Sequence, residues 1–184
     1  MKKVISLIML VALVFTLGAC GSKEKAKDKK DDTSKKVVEE KVKEPKGPES
    51  TAIFERTNEL GGNKLTVTTK GDIITKVTEN KYITKEKCDT SLGYMSVDEN
   101  RDVLKGFIDM VKDRKGVKAN FSEDDTNLMS NIDLNLSKAE EKSIMAVSDY
   151  SNFLENQGDK VDFRNQTLQD FEKCLEEWSW VRVE

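Results

Sequence analysis

The chain has 184 residues, with 34 acidic and 31 basic side chains, a formal net charge of −3 at pH 7 and no histidine. The absence of histidine excludes Ser-His-Asp and Cys-His nucleophiles, histidine-bearing zinc sites and the usual general base near neutral pH. The sequence also contains no Walker loop and no G-x-G-x-x-G motif. It therefore indicates neither a cofactor nor an enzyme.

The N-terminus has the layout of a secretory signal. Two lysines precede an apolar run over residues 4–17, which is about two-thirds of the ~20 residues that a membrane span needs. The run ends in Leu-Gly-Ala-Cys, and this box resembles a bacterial lipoprotein signal. The resemblance implies that residues 1–19 are removed and that Cys20 carries a diacylglyceryl group. The alternative is an ordinary secretory signal with an incidental cysteine.

Acyl chains on Cys20 would hold the protein to the membrane, because each buried CH2 contributes ~0.8 kcal/mol. We therefore expect a protein anchored by lipid at the extracytoplasmic face of the cell membrane. Residues 21–50 follow with ten lysines, eight acids and no aromatic residue, which predicts a disordered charged linker over residues 20–50. The alternative, a basic patch for anionic lipid or wall polymer, is weakened by the interleaved acids.

Residues 51–184 are predicted to form one domain. By count this segment has 19 basic and 26 acidic residues, a net charge of −7, which argues against nucleic acid as a partner. Its first elements are a strand at residues 51–56 and a hairpin of residues 64–69 and 73–82 around Lys70-Gly71-Asp72. Residues 83–94 show no clear period, and we expect a loop there.

A capping box at Ser96 and Glu99 begins the best-patterned helix, and we expect Gly116 to end it. A second hairpin follows, with strands at residues 117–121 and 128–136. The second of these strands alternates strictly between apolar and polar side chains. Such alternation is typical of an antiparallel sheet that is solvated on one face.

The C-terminal third is predicted to be helical. Residues 137–140 form a second capping-box pattern, and a short helical segment follows around Tyr150 and Phe153. A last helix carries one apolar stripe, formed by Leu168, Phe171, Leu175 and Trp178. Hairpins separated by helices indicate an α+β fold, with an antiparallel sheet of about five strands and helices packed on one of its faces.

The segments TAIFE and LTVTTKGDIITKVTEN, within residues 51–80, resemble the YehR-like lipoprotein family. That family consists of small bacterial lipoproteins built around one domain of unknown function. The layout of hairpin, helix, hairpin and helical C-terminus extends the resemblance over residues 51–184. It implies an α+β domain outside the membrane and supplies no catalytic or ligand residues. The loop at residues 85–95 and the C-terminal tail depart from the family pattern.

Two groups of carboxylates could supply oxygen ligands to a weak calcium site. One is Asp124-Asp125 in a turn, and the other is formed by Asp98, Glu99 and Asp102 at a helix start. Neither has the spacing of a calcium loop with its central glycine. The helix dipole and the solvation of a turn account for both groups, so we predict no metal.

Cys88 and Cys174 leave two alternatives open. Outside the membrane they could form a disulfide, which would stabilise the fold by up to ~4 kcal/mol in the chain-entropy model. They could instead be two separate buried thiols, since free cysteine packs well in protein cores. The sequence favours the disulfide slightly.

The aromatic residues Phe171, Trp178 and Trp180 could line a surface for a ligand or partner, but a place in the core explains them better. The sequence as a whole predicts a non-enzymatic binding domain displayed at the cell envelope. Its partner would be another envelope protein or a wall component. The alternative is a lipoprotein that binds a small ligand or a metal ion.

Overall fold

The structure, a computed structural model, describes residues 44–88, 90–157 and 162–184. The predicted signal sequence, Cys20 and most of the predicted linker lie outside the described residues. Among those that are described, no helix is both long enough and apolar enough to cross a membrane.

The domain is built on one antiparallel sheet with the strand order β4-β5-β3-β2-β1-β6. Its six strands are β1 (Glu49–Thr57), β2 (Gly61–Lys70), β3 (Ile73–Thr84), β4 (Val117–Glu123), β5 (Asn127–Asn135) and β6 (Val181–Arg182). The α+β class and the two hairpins are confirmed. The sheet has six strands rather than about five, because a two-residue strand after the last helix pairs with β1.

In the described part of the chain, three α-helices accompany the sheet: α1 (Val97–Val111), α2 (Ser148–Gln157) and α3 (Leu168–Glu177). The capping box of α1 is confirmed, since the Glu99 amide donates to Ser96 Oγ at 3.2 Å and the Ser96 amide donates to Glu99 Oε2 at 2.8 Å. The predicted end at Gly116 is wrong, because α1 already ends at Val111. Gly116 instead adopts φ +82° in the turn into β4.

The prediction of a second capping box at residues 137–140 is also wrong. The Ser137 hydroxyl lies 2.6 Å from Asn135 Oδ1 and donates to it, so it caps no helix. This is the local side-chain bonding by which Ser and Asn compete with helix formation. A 3-10 helix begins later, at Glu141–Ala146, and its N-cap residue Glu140 makes no side-chain cap.

Helices cover one face of the sheet, and the core lies between them. Tyr150 and Phe153 of α2 meet Phe171 of α3 in an aromatic cluster with ring centroids 5.1 to 5.9 Å apart. Trp180 is only 3% exposed and belongs to the same core, as the sequence favoured. The opposite face carries mainly polar side chains, among them Thr66, Thr78, Asn80, Asn131 and Asp133, which confirms a sheet solvated on one side.

Candidate functional site

A row of polar side chains interrupts the apolar, helix-facing side of the sheet. Strand register places four residues side by side on β1, β2, β3 and β5, namely Arg56, Asn63, Lys81 and Ser130. We call them the polar row. The adjoining row is apolar apart from Glu79, which lies between Leu65 and Ile132. Because the helix-facing side of such a sheet normally buries apolar groups, this patch needs a separate explanation.

The polar row and Glu79 form the floor of a cleft of about 670 Å³. We call it the helix–sheet cleft. One wall comes from α1, through Val103, Leu104 and Phe107, and the other from α2 together with Trp178. The α2 residues that line it are Ser148, Asp149, Asn152, Glu155 and Asn156. Its volume lies within the range of about 300–1,000 Å³ that is typical of small-molecule sites.

Among the acids that line the cleft, Glu79 has the most strongly shifted pKa. Only 6% of the residue is exposed, and its pKa is raised from 4.5 to about 7. Burial is the main cause, and the negative charge of Asp149 adds to it. Lys81, a hydrogen bond from the Ser148 backbone amide and Arg56 offset part of the increase. A buried acid with such a pKa, placed in a cleft, marks a candidate functional site.

Asp149 is buried as deeply as Glu79, but neighbouring groups offset more of the effect of burial on its pKa. Burial raises its pKa, while Arg56, Trp180 and Lys81 counteract that increase. Arg56 Nη2 lies 3.6 Å from Asp149 Oδ1, and its guanidinium stacks 4.8 Å above the Trp180 ring. Arg56 Nη1 also donates to the Trp178 carbonyl at 3.5 Å. Arg56 is thus held in place by neighbours within the protein.

Glu79 and Lys81, by contrast, have unused bonding capacity. Within the described ranges, the Lys81 ammonium makes no ion pair and no hydrogen bond. Within the same ranges, the Ser148 backbone amide is the one hydrogen-bond donor to the Glu79 carboxylate. Since a carboxylate has about four acceptor positions, most of its capacity is open to the cleft.

Three of the carboxylates singled out from the sequence, Asp98, Glu99 and Asp124, are held by local contacts. Asp124 Oδ1 accepts from the amides of Thr126 at 2.8 Å and Asn127 at 2.7 Å, and these bonds lower the Asp124 pKa. Glu99 caps α1, and Asp98 pairs with Arg101. In the part of the chain that the structure describes, no group of three or more His, Cys, Asp or Glu residues is placed to hold a metal ion.

Cys88 and Cys174 are both free thiols. Cys88 packs against the small cluster of Ile83, Leu104 and Leu128, whereas Cys174 packs against the main core. The structure therefore does not bring together the pair that the sequence favoured as a disulfide. Burial, together with the nearby acids Glu177 and Asp170, raises the pKa of the Cys174 thiol.

The residues of the cleft were missed by the sequence reasoning, although one signal was present. The alternation of β3 places Val77, Glu79, Lys81 and Ile83 on the same face. Two charged residues between two apolar residues, all on the buried face of a strand, could have indicated a site. The contribution of Asp149 had no such signal, because it depends on where α2 packs.

No protein-family model matches the chain, and no curated protein matches it. Among solved structures, it resembles the NMR structure of the E. coli YehR protein with a TM-score of 0.57 and 17% identity, over 74% of this chain and 92% of that one. It also resembles the NMR structure of a protein from Streptococcus pneumoniae TIGR4, with a TM-score of 0.46 and 12% identity, over 88% of this chain and 99% of that one. The similarity to the YehR structure shows that the chain has a YehR-like fold.

Proposed function

We propose that this protein is a lipid-anchored, non-enzymatic binding protein of the extracytoplasmic membrane face, and that the helix–sheet cleft binds a small ligand. The observation that supports the ligand site is the cleft itself, with the buried Glu79 carboxylate on its floor beside the half-buried Lys81. Burying a charged group costs free energy unless a partner compensates it. A bound ligand would occupy the acceptor positions that Glu79 leaves open and would give the Lys81 ammonium a direct ion-pair partner.

The distribution of exposed apolar side chains also favours a small ligand over a large protein partner. The exposed large apolar side chains come from separate elements, including Leu92, Val103, Met145 and Val181. A protein interface is better supported by one contiguous apolar patch. The alternative from the sequence, small-ligand binding, is therefore the one we propose, and a metal ion is not favoured.

Val103→Trp should block the cleft. Val103 is 58% exposed and lines the cleft, so Val103→Trp adds an indole at the mouth without disturbing the core. We expect free amino acids, simple sugars or diamines to shift NMR signals of cleft residues in the full-length chain in detergent. The variant should lose those shifts.

Met110→Trp is the matched control, because Met110 lies on the same helix, is 53% exposed and does not line the cleft. It should respond to the compounds as the unmodified chain does. If no compound in the panel shifts a cleft signal of the unmodified chain, the small-ligand function is wrong and an envelope partner becomes the better proposal.

The lipid anchor is tested separately at Cys20. Cys20→Ala removes the thiol on which the lipid would be formed. We expect the variant to move from the membrane fraction to the soluble fraction after cell fractionation, because the acyl chains contribute most of the membrane affinity. Ser22→Ala, two residues away, should leave the protein in the membrane fraction. Membrane retention of Cys20→Ala would contradict the anchor.

A further inference from the structure

We propose that the ligand of the helix–sheet cleft is a small zwitterion with an apolar side chain, that is, a free amino acid or a short peptide. This inference rests on the proposed ligand-binding function of the cleft. It assigns the ammonium group of the ligand to Glu79, the carboxylate to Lys81 and the apolar side chain to α1.

The ammonium position follows from the surroundings of Glu79. Its carboxylate is buried and retains open acceptor positions, and the negative charge of Asp149 repels it. An ammonium group has three donors and a positive charge. Placed beside Glu79, it would fill the open acceptors and turn the repulsion between two carboxylates into attraction to a shared cation.

The carboxylate position follows from Lys81. Lys81 is two residues from Glu79 on the same face of β3, which separates the two Cα atoms by about 7 Å. Long, flexible side chains at this spacing can reach the two charged ends of one amino acid through ion pairs of ~2.8 Å. Arg56 is a weaker candidate, because Asp149 and Trp180 already hold its guanidinium.

The apolar side chain of the ligand is assigned to the α1 wall of the cleft. Val103, Leu104 and Phe107 line the cleft from α1. Burial of apolar ligand surface there would contribute about 25 cal/mol per Å².

The balance of charges supports the same ligand class. Two cations and three acids line the cleft: Arg56, Lys81, Glu79, Asp149 and Glu155. Such a mixed lining is a poor match for a polyanion or a polycation, since either would bring like charges together. A molecule that carries one charge of each sign is the better electrostatic match.

The test compares L-leucine with analogues that carry only one of its charges. Leucinamide keeps the ammonium, 4-methylpentanoate keeps the carboxylate, and L-leucyl-L-leucine separates the two charges further. Each is titrated into the full-length chain in detergent, with NMR shifts of cleft residues as the readout. We expect L-leucine or the dipeptide to bind at least ~10-fold more tightly than either single-charge analogue.

Two variants assign the charges individually. Glu79→Gln should weaken leucine and leucinamide at least ~10-fold. Lys81→Met should weaken leucine and 4-methylpentanoate to the same extent and leucinamide much less, because leucinamide is affected only through the further rise in the Glu79 pKa when the nearby cation is lost. Glu55→Gln and Lys118→Met, which are exposed on the other face of the sheet, are the matched controls and should leave all affinities unchanged.

The outcomes separate this inference from the function on which it rests. If a single-charge analogue binds the cleft as tightly as leucine and the dipeptide, or if only other compounds bind there, the zwitterion is overturned and the ligand-binding function remains. If Lys81→Met weakens leucinamide as much as leucine, the assignment of Lys81 is wrong. If no compound shifts a cleft signal, both proposals fail.

Discussion

Glu79→Gln should stabilise the protein at pH 8 and change its stability little at pH 4. The pKa of Glu79 is about 7 in the folded chain against an ordinary value of 4.5, so the folded state binds the proton more tightly than the unfolded state. Stability is therefore lost as the pH rises from 4.5 to about 7, and the loss is complete above that window. A shift of this size corresponds to about 3 kcal/mol. Glutamine carries no charge at any pH and escapes the loss.

The measurement is urea denaturation of both chains at pH 4, 6, 7 and 8, followed by tryptophan fluorescence. The difference in unfolding free energy should grow through the titration window, and the other acids, shared by the two chains, largely cancel from it. Asp149 does not cancel fully, since its negative charge repels the Glu79 carboxylate and that repulsion is absent from the glutamine variant. Glu55→Gln, at an exposed position, should show no such growth. A pH-independent difference for Glu79→Gln would contradict the raised pKa.

Stability and binding should therefore change in opposite directions at Glu79. Glu79→Gln, which we expect to stabilise the domain at pH 8, is also expected to weaken ligand binding. Such a trade-off is typical of functional sites, where a group is retained for binding although it destabilises the fold. The polar row and Glu79 depart from an ordinary core pattern on the helix-facing side of the sheet.

The elements predicted correctly are those that local sequence determines. Period-two alternation locates β2, β3 and β5, and Gly71, with φ +66°, allows the turn of the first hairpin. The capping box at Ser96 is also local, because both of its hydrogen bonds join residues three apart. These signals act within a few residues and need no tertiary contact.

The failures arise where a residue has a competing partner or a distant neighbour. Ser137 has the sequence pattern of a helix cap, but Asn135 takes its hydroxyl. The sequence places the charge of Glu79 on the buried face of β3, but its altered pKa arises from burial and from Asp149, which is 70 positions later in the chain. The cleft depends on how α1 and α2 pack over the sheet, which periodicity does not determine.

Phe171→Ala should be the most destabilising of these substitutions, at about 3–5 kcal/mol. The Phe171 ring is fully buried and meets Tyr150 edge-on at 5.4 Å and Phe153 at 5.1 Å. Truncation would leave a cavity between α2 and α3 and remove two ring contacts of about 0.5–1.5 kcal/mol each. The helix cannot easily move to fill that cavity, because the Leu168 amide donates to the Asp72 carbonyl at 3.0 Å and fixes the start of α3 to the β2–β3 turn.

Phe171→Leu is the graded control, since leucine keeps an apolar side chain in the same position and should cost less than alanine does. Both variants would be compared with the unmodified chain by chemical denaturation at one pH, with the denaturant slope checked for an unchanged unfolding transition. If the alanine variant lost less than about 1.5 kcal/mol, or no more than the leucine variant, then α3 would not unfold together with the sheet. The aromatic cluster would then not be the contact that joins the C-terminal helix to the core.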